Sequence, residues 1–115
     1  MSIRMDEITN MSFSNVVTGE LLEPVSPGNI LSHDFMEPMG LSANALAQAL
    51  GVPTNRVTAI LKGARGVTAD TACRLGIAFD TTAEFWMNLQ TQYELETVQR
   101  GSGEKITHEV HRLAA

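Results

Sequence analysis

Apolar residues in the middle of the chain recur at the three- and four-residue spacing of a helix face. They fall in five blocks punctuated by Gly, Pro, Ser and Thr. Pro27 and Gly28 stand just before Ile30, Leu31, Asp34 and Phe35, which suits a helix with Pro in its first turn, and Pro38 with Gly40 is expected to end it. Ser42 is an N-cap residue for a second, short helix whose inner face carries Leu46, Ala47 and Leu50 and which Gly51 stops. A third helix begins near Thr54, turns Val57, Ile60 and Leu61 inward and closes at Lys62 and Gly63. Thr68 caps a fourth helix through Ala72, Leu75 and Phe79. Thr81 or Thr82 caps a longer fifth helix with Phe85, Trp86, Leu89 and Tyr93 on one face.

The fold class this predicts is all-α: a five-helix repressor-like domain over 24–100 with a central helix-turn-helix. Residues 1–23 show no sustained period and are expected to form a flexible N-terminal arm, although Phe13 to Val17 has some strand character. The Gly-Ser-Gly triplet after Arg100 reads as a linker into a short tail over 101–115, in which Glu104 to Leu113 suits a last short helix.

The stretch from Ser42 to Gly63 carries the candidate chemistry. Two helices joined by only three residues must cross closely, which calls for a small residue at the contact, Ala47, and a turn residue tolerant of positive φ, Gly51. With Val57 and Ile60 inward, Thr54, Asn55, Arg56, Thr58, Ala59 and Lys62 are left on or near the outer face of the second of these helices. Asn and Arg have the donor geometry for adenine and guanine edges, Thr bonds bases or phosphates, and Ala59 is suited to a thymine methyl. Helix starts at Ser42 and Thr68 present free N–H groups to phosphate, and Arg65 in the intervening loop adds a full charge. Asn44, beside the first of these starts, belongs to the same DNA-binding set.

Composition changes this picture only in one respect. The chain has 115 residues, is 43% hydrophobic and carries a net charge of −5, enough for one core and adverse, as a sum, to nucleic-acid binding. The charge is unevenly placed. From Gly51 to Leu75 the charged residues are Arg56, Lys62, Arg65, Arg74 and Asp70, a local +3 that leaves −8 for the rest. A cationic face on an acidic body fits a DNA footprint with limited non-specific affinity.

Other function classes find little support. No apolar run is long enough to span a membrane and the first residues do not read as a secretory signal, so a cytoplasmic protein without membrane partners is expected. The single Cys73 is expected to be a buried, inert thiol. His108 and His111 lack a completing ligand at metal-site spacing, and Glu94 and Glu96 point to different sides of a helix. No enzyme, cofactor or metal is predicted, and the six methionines read as gap-fillers.

The segment from Pro27 to about Leu95 resembles the HigA-type antitoxins of the XRE helix-turn-helix superfamily. The resemblance rests on Pro27-Gly28, the run LAQALGVPTNRV, the block GVTADTACRLG and the aromatic pair within TTAEFWMNLQTQYEL. It implies a protein that binds a palindromic operator as a homodimer, represses its own operon and neutralises a HigB-like ribonuclease toxin, with Thr54 to Lys62 as recognition helix and Arg56 as the first choice for a base contact. The chain departs from the pattern at Cys73, where an aliphatic residue is usual, and at Asp80, where Gly commonly ends the fourth helix; Asp also adopts the left-handed conformation. Its N-terminal arm is longer than in many relatives.

A palindromic site calls for a dimer. Phe85, Trp86, Leu89 and Tyr93 are the candidate dimer residues, because together they exceed what a small domain needs, with packing against the first helix the competing use of Phe85 and Leu89. A free-standing repressor without a toxin partner is the alternative function, and a protein-binding module with a vestigial helix-turn-helix a third.

Overall fold

The structure, a computed structural model, describes residues 23–113. The expectations for the arm and for Phe13 to Val17 lie outside the described residues, apart from Glu23. Five helices follow one another in the described part. The first, α1 (27–39), opens at Ser26, whose Oγ accepts the Asn29 N–H at 3.2 Å, with Pro27 in its first turn. It does not stop at Pro38. A π-helical stretch, Leu31–Met36, widens the coil, and the Glu37 N–H reaches back to the Ser32 carbonyl. In a regular α-helix the Pro38 ring would clash with the carbonyl four residues earlier, so the widened turn carries the chain through Glu37–Met39 to Gly40.

Helix α2, Ala43–Leu50, is capped by Ser42 Oγ on the Ala45 N–H at 3.1 Å. It ends at Gly51, whose φ of 72° allows the Val52 N–H to bond the Ala47 carbonyl at 3.0 Å. Helix α3, Thr54–Leu61, follows with Val57 and Ile60 buried. Helix α4, Ala69–Ala78, is capped by Thr68, and Asp80 takes the left-handed conformation (φ 56°) at its end. Thr82 caps α5, Ala83–Glu109, while Thr81 Oγ1 accepts the Trp86 indole N–H at 2.8 Å.

Leu31, Leu46, Leu75, Val57 and Trp86 are the largest fully buried side chains. Gly28 brings α1 onto the end of α3 so closely that a Cβ there would run into the Ile60 carbonyl oxygen. The rings of Phe35, Phe79 and Phe85 surround Trp86 at centroid distances of 4.9, 6.3 and 5.1 Å.

Three expectations are corrected here. Trp86 is 0% exposed, so it is the keystone of the core and not a dimer contact: its indole needs both the aromatic cage and the Thr81 hydroxyl, which the core supplies. Cys73 is exposed, because Ala72 and Leu75 take the inward face of α4 and rotate position 73 outward. Gly101-Ser102-Gly103 is no linker but lies inside α5, which runs on to Glu109 and absorbs the expected last helix. After Gln90 that helix has no buried residue among those described.

Candidate nucleic-acid interface

Ala47 is 1% exposed at the crossing of α2 with α3, so the two helices form the expected close pair. Asn44 and Thr54 join their starts, the Thr54 hydroxyl donating to Asn44 Oδ1 at 2.9 Å. Pro53 offers no side chain to cap α3, leaving N–H groups of its first turn without a helical partner.

Along α3, Asn55 and Lys62 are exposed, and Thr54, Arg56, Thr58 and Ala59 half-buried. The Thr58 hydroxyl donates to the Asn55 carbonyl at 3.3 Å, which leaves its oxygen as an acceptor. The Ala59 carbonyl accepts the N–H groups of Ala64 and Arg65, closing the turn after the helix. Arg65 is exposed in that turn.

The sequence missed how the cations are held. Asp70 Oδ2 accepts from Arg56 Nη1 at 2.8 Å and from Arg74 Nε at 2.9 Å. Arg74 Nη1 also donates to the Leu50 carbonyl at 2.9 Å, neutralising the negative end of α2. The hydrogen bonds from Arg74 and then Arg56 hold the Asp70 carboxyl below its ordinary range. The i, i+4 spacing of Asp70 and Arg74 was visible in the sequence; the partnership with Arg56, fourteen positions away, was not.

Two helix starts were expected to hold phosphate, and they differ. The first turn of α2 contains no acid. The first turn of α4 carries Asp70, although the two caps are alike, the Ser42 and Thr68 hydroxyls each accepting an N–H of their own first turn. A buried hydrogen bond secures the loop between α3 and α4: Gln90 Oε1, reaching from α5, accepts the Val67 N–H at 2.8 Å, and its Nε2 donates to Glu94 at 2.7 Å. Gln90 is 7% exposed.

Of the proposed dimer residues other than Trp86, Leu89 packs against the core and Tyr93 lines a small cleft of about 90 Å³ that also includes Arg65 and Gln90. Phe85 is 37% exposed. Further along α5, Leu95, Val98 and Ile106 are exposed apolar residues that sequence inspection passed over. Their spacing of three and then eight places them along one side of the helix.

A family model described as helix-turn-helix matches residues 33–86. The chain is similar to Antitoxin HigA-1 of Vibrio cholerae, with 45% identity over 73 residues, which are 63% of this chain and 68% of that protein. It is also similar to the solved structure of antitoxin GraA in complex with its operator: TM-score 0.76, 48% identity, 88% of this chain and all of that one. The Pseudomonas aeruginosa antitoxin HigA with higBA promoter matches with a TM-score of 0.75 and 44% identity, over 80% of this chain and all of that one.

Proposed function

The chain belongs to the HigA-type antitoxins of the helix-turn-helix superfamily, and from that premise we propose that it is the antitoxin of a type II toxin–antitoxin pair. In this role it binds palindromic operator DNA as a homodimer, represses its own operon and neutralises a HigB-like ribonuclease, acting in the cytoplasm. The observation that carries this is a helix-turn-helix that presents the local +3 segment around α3, in a chain similar to antitoxins solved on operator and promoter DNA.

Helix α3 enters the major groove, with Asn55 and Arg56 addressing base edges and Thr54, Thr58, Ala59 and Lys62 completing the contact face. The start of α2, with Ser42 and Asn44, and the loop cation Arg65 hold the flanking phosphates; Thr68 marks a weaker anchor because Asp70 shares its turn. The dimer forms along α5, where Phe85, Leu95 and Val98 have the exposed apolar area that Trp86 lacks, with Leu89 and Tyr93 flanking.

The test is a gel-shift titration on the upstream promoter fragment against a scrambled fragment at physiological salt. Tight binding that depends on the palindrome supports an autorepressor, and equal weak binding to both fragments overturns it. Co-expression with a neighbouring toxin-type gene tests the second activity: growth should be rescued and the two proteins should co-purify.

A further inference from the structure

Asp70 has a place that the operator reading leaves unexplained. It is the single acid between Gly51 and Leu75, and one of its oxygens receives hydrogen bonds from two of the four cations there. The carboxylate is outward, with its side chain 57% exposed, while Arg56 is 26% and Arg74 41% exposed. It also lies in the first turn of α4, where a helix would otherwise draw phosphate.

A group in this position acts as a resident anion. Any DNA offers phosphates, so a freely rotating Arg56 and an uncompensated helix start would bind every sequence alike. The carboxylate takes up one Arg56 nitrogen and repels a phosphate approaching the same spot, while the guanidinium keeps further donors for a base edge. Contact with the backbone alone must therefore displace an existing ion pair, whereas contact with the right base need not. Resting on the operator reading, we propose that Asp70 is a specificity-determining residue: it holds Arg56 as an internal substitute for phosphate and so penalises non-cognate DNA.

The exposed pair is weak in itself, so the effect belongs in the specificity ratio and leaves thermal stability little changed. Binding of the full chain is measured by fluorescence anisotropy on the upstream fragment and on a scrambled one, over a range of NaCl concentrations. Asp70→Asn is expected to tighten binding to the scrambled fragment by roughly three- to tenfold, with a salt slope steeper by about one. The operator should gain less, so that the ratio falls. Asp70→Glu should restore much of the ratio, and Arg56→Met in the Asp70→Asn background should remove the scrambled-fragment gain. Equal tightening on both fragments, or none on either, overturns the proposal, since the first is only a change in net charge. If the wild type discriminates but Asp70→Asn keeps the ratio, the inference fails alone. If the wild type does not discriminate, the operator reading fails and the inference with it.

Discussion

The side chain of Gln90, on the long last helix, accepts the backbone N–H of Val67, in the loop that follows α3, at 2.8 Å in a buried site. One amide thus ties the helix proposed for dimerisation to the loop that carries Arg65. Gly66 gives it room, since a Cβ there would come within 2.8 Å of Gln90 Nε2.

Gln90→Leu keeps the apolar bulk of the side chain but strands the Val67 N–H. The expected loss is about 1–3 kcal/mol in a urea or guanidinium titration. Amide hydrogen exchange should rise at Val67 more than in α2, whose bonds are untouched. Unchanged exchange at Val67 would show that the loop holds itself.

Gly28→Ala drives a methyl group into the Ile60 carbonyl. Backbone lies on both sides and neither can rotate away, so a destabilisation of about 1–3 kcal/mol or more is expected by chemical denaturation. A variant as stable as the wild type would mean that α1 can move off α3 without cost.

Trp86→Ala should cost about 3–5 kcal/mol, and the loss should not depend on protein concentration. Trp86→Phe keeps most of the packing but deprives Thr81 of its donor, for a loss of about 1 kcal/mol. If the effect of either change faded at high protein concentration, the indole would belong to a subunit interface after all.

Gly101→Ala and Gly103→Ala meet nothing within 4 Å. Each lies within α5, so each should stabilise the far half of that helix by about 0.5–1 kcal/mol. Far-UV circular dichroism should show higher helicity with the pair of substitutions. A triplet acting as a linker would give no gain.

Asp70 should titrate below 3.8, the ordinary value. A carboxyl lowered on folding stabilises the native state fully above that value and loses this contribution as pH falls through the lower folded value. Asp70 should therefore add no pH dependence to stability between pH 7 and 5, where its contribution is constant, and a decline only as pH falls below 3.8. An NMR titration of the carboxyl carbon checks this directly. Arg74→Met should move the midpoint up more than Arg56→Met, because the Arg74 hydrogen bond is the larger cause.

The helices and the turn between the two central ones were legible in the chain because their causes are local. Ser42, Thr68 and Thr82 cap their own helices, and Gly51 takes the positive φ that closes α2. Apolar spacing correctly turned Leu46, Val57, Ile60 and Leu75 inward. Periodicity does not say which member of an apolar stripe meets the body and which meets solvent, so it does not separate Trp86, held inside the aromatic cage, from residues free to meet a partner. It also failed at Gly101-Ser102-Gly103, where glycines that usually interrupt a helix are carried by its continuation on both sides.

The interface divides in the same way. Which residues ride on the outer face of α3 follows from helical geometry and could be read from spacing alone. That one helix start bears its own anion is local as well, since Asp70 lies two residues after the Thr68 cap, whereas how Arg56 is held and what pins the Arg65 loop were decided in three dimensions. Asp70 meets Arg56 across 14 positions and Gln90 meets Val67 across 23, and such pairs come together only after the core has set the angles between helices. Local propensity determines elements within a few residues of itself, whereas a side chain's partner is chosen by the packing of the whole.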